Sequence, residues 1–214
     1  MKNQTRFAAD HLLPLLQKFD YSTPIIDLGC GQGGVLAGLA ECGVSGLCGI
    51  DDNRDSINTA AARCTTVRYY KCGIEDIDTD WPTALLCDVI EHYPLAIVYA
   101  RHIVQPGGLL YVSFPPWRSP YGGHQQLTRW KLPWIHLFGY SGRSDTAEDV
   151  ESVRRCKPTI RRLELMLDGW TILHRQKYFI RPELSRKGLP TIKAPAWMPE
   201  WMITGVDYVL RKEN

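Results

Sequence analysis

Over residues 1–115, short apolar runs alternate with stretches of helical spacing. Residues 5–19 place apolar side chains every three to four positions and read as an amphipathic helix. Pro14 weakens its middle, because proline has no N–H for the ladder. Pro24–Leu28 reads as a buried strand that runs straight into a glycine-rich stretch. A helix over 34–42, a strand over 46–51, a helix over 54–63 and a strand over 67–70 follow. A fourth apolar run, 85–90, closes on acidic and histidine residues. Residues 95–104 are helical, and Gln105-Pro106-Gly107-Gly108 turns the chain into a fifth strand, 109–114. Strands alternating with helices predict an α/β class: a doubly wound, mostly parallel sheet with helices on both faces.

The alternation stops at residue 115. Residues 115–148 are rich in proline, glycine and aromatics and too long for an ordinary connection. We read them as a cap inserted over the carboxyl edge of the sheet. One or two helices are expected over 149–168, with a break at Pro158, then a strand over 171–180. A proline-rich excursion over 182–200 leads to a last strand, 203–211, expected to pair with its predecessor as a hairpin with a long arm.

Composition narrows the class without naming a chemistry. The 214 residues suit one domain over 1–214, with 115–148 as its embellishment. At 44% hydrophobic and 22% charged, the chain is neither disordered nor fibrous. No apolar run approaches the ~18 residues of a membrane span, and MKNQTRFAAD lacks the apolar block of a secretory signal. Seven cysteines without a C-x-x-C pair fit neither a disulfide framework nor a zinc ribbon, so a reducing cytoplasm is the expected compartment. The net charge of +2 divides unevenly, −5 over residues 1–117 and +7 over 118–214. The basic half is either a solvated face or a surface that meets an anionic acceptor.

Gly29, Gly31 and Gly34 match G-x-G-x-x-G between a strand and a helix, and Asp51 ends the next strand 22 residues beyond Gly29. Glycines let a backbone turn tightly and approach a ligand, and a carboxylate at that strand end suits ribose hydroxyls. Asp27 decides between ligands. A dinucleotide would set a pyrophosphate beside it and be repelled. A donor with an ammonium and a sulfonium would be welcomed there, and Asp88 at the end of the fourth strand adds a second acid to the same crevice.

Ile25-Ile26-Asp27-Leu28-Gly29-Cys30-Gly31-Gln32-Gly33 resembles the first motif of class I S-adenosylmethionine-dependent methyltransferases. Gly49-Ile50-Asp51, Gly73-Ile74-Glu75-Asp76, Asp88-Val89-Ile90-Glu91-His92 and Gln105-Pro106-Gly107-Gly108-Leu109 resemble the later motifs, in order, over residues 20–115. The resemblance is to the broad branch that includes ubiquinone-type O-methyltransferases. It implies a seven-stranded sheet with a final antiparallel strand, and S-adenosylmethionine as the cofactor. It also implies roles. Asp27 would organise the loop and the amino group, while Gly29, Cys30 and Gly31 approach the methionyl part through backbone. Asp51 would hold the ribose, Ile74 and Glu75 the adenine, and Cys87 and Asp88 would offer contacts near the amino group. Arg6 is placed to meet the cofactor carboxylate. Asp52 and Gly73 depart from the family pattern on the adenine side.

The acceptor is expected under the cap, where Trp117, Tyr121, Trp130, Trp134, Phe138 and Tyr140 crowd into 24 residues. Most of them are read as the cap's own small core, the alternative being a pocket for a flat or apolar acceptor, with Trp117 and Tyr121 the pocket candidates. His124, between glycines and glutamines, is the first candidate for general base, and His92 the second. Asp88, Glu91 and His92, with His124, also resemble a divalent-metal ligand set of O-methyltransferases, although Asp88 stands where that set has Glu. No metal is assigned on this basis. The basic run Arg154, Arg155, Lys157, Arg161 and Arg162 spreads over more than one helical face and reads as solvated surface, so nucleic acid is not the expected partner. The expected function is methyl transfer to oxygen of a small-molecule acceptor, aromatic or anionic. A metal-dependent RNA 2′-O-methyltransferase, a non-catalytic cofactor-binding regulator and a NAD-binding oxidoreductase are the alternatives.

Overall fold

The computed structural model describes residues 2–120, 122, 133, 134, 137, 156–182 and 190–214. It opens with helix α1 (Lys2–Phe7), a π-helical stretch (Ala8–Leu12) and helix α2 (Leu13–Lys18). Leu13 N–H donates to the Ala8 carbonyl five residues back, so the ladder widens just ahead of Pro14. That placement puts Pro14 in the first turn of α2, where a missing N–H costs little.

Strands β1 (Ile25–Leu28), β2 (Leu47–Asp51), β3 (Arg68–Lys71), β4 (Trp81–Cys87) and β5 (Val104–Phe114) alternate with helices α3 (Gly34–Glu41), α4 (Arg54–Arg63) and α5 (Ala96–Ile103). After the cap region come helix α6 (Ile160–Glu164) and strands β6 (Trp170–Ile180), β7 (Ile192–Ala194) and β8 (Gly205–Lys212). They form one sheet in the order β3-β2-β1-β4-β5-β8-β6-β7. β1 to β5 are parallel; β8 runs antiparallel between β5 and β6. The expected hairpin with a long arm is therefore present, and the arm itself adds the short eighth strand β7.

Side chains alternate across the sheet as the strand period requires. Ile26, Leu28, Leu86, Val112, Phe114 and Tyr208 join the core under α5 and α6. Ile25, Leu85, Tyr111 and Val209 join the other core, with Phe7, Leu12, Leu16, Leu36 and Leu39. By the same parity Asp27, Ser113 and Asp207 lie on the α1–α3 face. Strand order reverses between β1 and β4, which opens the crevice at their carboxyl ends.

Two strand boundaries depart from the sequence reading. β4 spans 81–87 instead of 85–90, because Asp88 takes a left-handed φ of 57° and ends the pairing. β5 begins at Val104, ahead of the Gln105–Gly108 turn, through a bridge to Trp81 and an irregular register before Thr83↔Leu109. The proposed cap (115–148) and the helix expected from 149 lie mainly outside the described residues.

Candidate active site at the β1–β4 crevice

The loop after β1 is built by backbone chemistry. Gly29 and Cys30 both donate their N–H groups to the Ile50 carbonyl, at 2.9 and 2.8 Å, tying the loop to β2. Gly31 N–H donates to Asp51 Oδ2 at 2.9 Å, and Asn53 N–H to Asp51 Oδ1 at 3.0 Å. Asp51 is therefore fixed by two amides while each oxygen keeps a lone pair for another donor. These loop amides are committed internally, so the loop offers a ligand close approach more than a row of N–H donors.

Two glycines show why. Gly31 has φ 50°, and a Cβ there would meet nothing within 4 Å: that side of the loop is open. Gly33 has φ 70°, and a Cβ there would come within 2.8 Å of Ala60 Cβ. The left-handed positions are thus 29, 31 and 33. Gly34, the third glycine of the fingerprint, instead lets α3 pack against Gln4 of α1.

Asp27 is 1% exposed, and its Oδ1 has no hydrogen-bond partner among the described residues. Burial, and then the Asp51 carboxylate, push its carboxyl up to about 7. A buried acid in this condition is a vacant acceptor that a cationic N–H donor would satisfy. Cys30 beside it is also buried, and burial drives its thiol well above the usual range.

Asp88 follows β4, with its N–H donating to Ser113 O at 2.9 Å. Its carboxylate is ion-paired with the Arg181 guanidinium, a partner the sequence reading missed. Arg181 offsets the charge of Asp88 at the crevice, which leaves Asp27 and Asp51 as the acids with no cationic partner among the described residues.

The family model described as a methyltransferase domain matches residues 1–147, more than two thirds of the chain. The chain belongs to the class I S-adenosylmethionine-dependent methyltransferase family. An uncharacterized methyltransferase of Mycobacterium tuberculosis is 28% identical over 110 residues. That match covers 47% of this chain and 42% of the relative, so the chain spans less than half of that protein's length. Among solved structures, the plantazolicin methyltransferase BpumL in complex with SAH aligns with TM-score 0.64 at 15% identity, covering 100% of this chain and 86% of that one. The magnesium protoporphyrin IX methyltransferase ChlM of Synechocystis with bound SAH gives 0.62 at 12% identity, covering 99% and 84%. A Pyrococcus horikoshii protein gives 0.65 at 17%, covering 100% and 92%. At such identities these structures share the fold.

The remaining sites expected in this methyltransferase domain fall as follows. Ile74, on a 3-10 turn (Ile74–Asp76), is 7% exposed and joins the core under α5; Glu75 beside it is exposed. Gly73 N–H donates to Asp76 Oδ2 at 3.0 Å, which fixes the turn. Asp52 and Arg6 are exposed. His92 is half-buried on the turn after Asp88, with its carbonyl accepting from Cys156 Sγ at 3.2 Å. His124, Tyr121, Trp130, Phe138, Tyr140, Arg154 and Arg155 lie outside the described residues. Trp117 is half-buried with Lys157 Nζ 6.0 Å from its ring centroid, and Trp134 Nε1 donates to Trp201 O at 2.9 Å. Lys157, Arg161 and Arg162 are exposed. Among the described residues no three acidic, histidine or cysteine side chains converge as metal ligands, and no helix is long and apolar enough to cross a membrane. All seven cysteines are free thiols.

Proposed function

We propose that the protein transfers a methyl group from S-adenosylmethionine to an oxygen of a small-molecule acceptor, in the manner of the ubiquinone-type O-methyltransferases its motifs resemble. The observation that carries the cofactor assignment is the buried, unpartnered Asp27 oxygen beside an open glycine loop. An ammonium satisfies that oxygen, whereas a pyrophosphate there would meet a carboxylate. Asp51, already oriented by Gly31 and Asn53, accepts from the ribose hydroxyls. Gly29, Cys30 and Gly31 give the methionyl part close approach, Ile74 and Glu75 border the adenine, and Cys87 and Asp88 border the amino group. When bound, S-adenosylmethionine supplies an electrophilic methyl group on a positively charged sulfur.

The protein then has to align an acceptor and remove its proton. His124 and His92 are the candidates for the proton. His92 stands on the same turn as Asp88, at the mouth of the crevice. A metal is not part of this reading: the Arg181 guanidinium already pairs with Asp88 Oδ1 and offsets the charge that a cation beside it would draw on. Methyl transfer unchanged by a strong chelator is the expected result, and its loss on chelation with recovery on adding Mg²⁺ would restore the metal-dependent alternative.

Calorimetry with S-adenosylhomocysteine and with NADH tests the cofactor. Binding of the first and not the second is expected. Asp51→Ala should weaken it about 10- to 100-fold, the worth of charge-assisted bonds to two hydroxyls. Retention of NADH instead would overturn the assignment. Free thiols throughout the chain accord with a cytoplasmic home.

A further inference from the structure

Residues 195–202 state one pattern twice: Pro195-Ala196-Trp197-Met198 is followed directly by Pro199-Glu200-Trp201-Met202. Each proline opens a turn. Met198 N–H donates to the Pro195 carbonyl at 3.0 Å, and Met202 N–H to the Pro199 carbonyl at 3.1 Å. Both turns hold their indole outward: Trp197 is 77% exposed and Trp201 53%. Met202 is exposed as well, while Met198 is buried in the core under α5 and α6. Trp134 Nε1 reaches the Trp201 carbonyl, which brings the exposed Trp134 and Leu137 to the same place.

This tip is braced from beneath. Lys177 on β6, itself buried, donates from Nζ to the Ala196 and Met198 carbonyls at 2.7 and 2.6 Å. Gln176 Nε2 donates to Ala194 O at 3.0 Å, and Glu200 Oε1 accepts from the Ile160 N–H of α6 at 2.8 Å. The indoles are thus fixed in water, where they forgo the burial that makes tryptophan stabilising, and a cluster of large apolar side chains held that way marks an interaction surface. Its surroundings are basic. Lys193 precedes the first turn, Arg161 follows the residue whose N–H meets Glu200, and Arg118 acts electrostatically on the Glu200 carboxylate; all three are exposed. Glu200, the one acid of residues 190–204, is directed onto α6. The tip also stands at the end of the sheet where the crevice opens, since β8 begins at Gly205 and pairs Val206 with Phe114, the last residue of β5.

We propose that this tip docks on an anionic phospholipid surface, with Trp134, Trp197 and Trp201 seated among the headgroups and Arg118, Arg161 and Lys193 against the lipid phosphates. Indole suits that zone, because its apolar body meets the acyl chains while its N–H stays with polar groups. Apolar contact and charge act together there, and neither requires a segment that spans the bilayer. A second copy of the chain fits less well, because a two-fold contact through the tip would set each set of cations against its own copy. The proposal is independent of the methyltransferase reading; docking at the tip brings the crevice end of the sheet nearest the membrane.

Sedimentation of the full chain with vesicles tests this, with phosphatidylcholine alone and with an equal mixture of phosphatidylcholine and phosphatidylglycerol. Binding to the mixture should exceed binding to phosphatidylcholine by at least about tenfold and should fall as salt is raised. Trp197→Ala and Trp201→Ala should each weaken it about five- to tenfold, and Lys193→Gln about fivefold. Ile172→Ala removes an exposed apolar side chain toward the opposite end of β6 and should leave binding unchanged. Trp197→Ala carries the test if Trp201→Ala melts below the wild type. No binding to the mixture, equal binding to both vesicles, undiminished binding of Trp197→Ala, or an equal loss in Ile172→Ala overturns the proposal. So does a dimer in sedimentation equilibrium that Trp197→Ala dissociates, which would assign the tip to a second copy.

Discussion

Asp27 couples ligand binding, protonation and stability at one residue. Its carboxyl is raised to about 7 by burial and by Asp51. A cationic ligand binds the ionised form, so affinity for S-adenosylhomocysteine should rise with pH up to about 7 and level off above it. Below 7 the loss should approach tenfold per pH unit, and an Asp27→Asn variant should be weak and flat across the same range. Titration calorimetry from pH 5.5 to 8.5 reads both. The stability consequence has the opposite sense. Because the folded-state value lies above the ordinary 3.8, the folded state holds a proton that the unfolded chain has lost between those two values. Stability from this group is full below about 4, falls as pH rises toward 7, and stays low above it. The penalty reaches roughly 4 kcal/mol at most. Asp27→Asn should therefore raise Tm at pH 8 by several degrees and have little effect at pH 4, while losing the ligand.

At the scale of elements, the sequence was readable where the signals are local. α4 falls at 54–63 as read, because Asn53 caps it by accepting from Ser56 N–H at 3.0 Å. The loop Gly29–Gly33 and Asp51 were also legible, since a turn and its strand-end partner are both set by nearby residues. The π-helical stretch left no pattern of its own: one extra residue in a turn does not disturb an apolar stripe. The Asp207–His11 bond joins residues 196 apart, and Arg181 reaches Asp88 across 93, separations that only the folded sheet closes. Asp207 did leave a trace, a charged residue inside the apolar run Gly205–Leu210. The fit of α1 against α3 follows from spacing once the fold is known, because Gly34 and Gly38 lie one turn apart on the face that meets α1. A Cβ at Gly38 would stand 2.7 Å from Thr5 Cα, and backbone cannot step aside as a flexible side chain can. Gly38→Val should therefore cost about 2–3 kcal/mol, seen as a lower urea midpoint, whereas Gly43→Ala meets no atom within 4 Å and should be limited to the strain of its φ of 83°.

At the scale of the whole molecule, the segment that carries the family match is shorter than the segment that builds the sheet. The match ends at residue 147, yet β5 pairs on its far side with β8, which begins at Gly205. Without β8, the inner residues Leu110, Tyr111, Val112 and Phe114, all 0% exposed, would sit on an open sheet edge. β8 itself contributes Val206, Tyr208, Val209 and Leu210, each no more than 2% exposed. At about 1.5–3 kcal/mol for each buried apolar side chain, those four are worth roughly 6–12 kcal/mol. That is comparable to the ~5–15 kcal/mol that holds a typical domain together. A fragment of residues 1–147 should therefore show no cooperative urea transition and little near-ultraviolet circular dichroism, although it contains the glycine loop, Asp27 and Asp51. Removing only Glu213 and Asn214 should leave the transition almost in place, because Glu213 adds one backbone bond to Gly169 and one side-chain bond from Thr171. A 1–147 fragment that unfolds cooperatively and binds S-adenosylhomocysteine would show instead that the parallel half stands alone, with the antiparallel strands β8, β6 and β7 serving the acceptor side only.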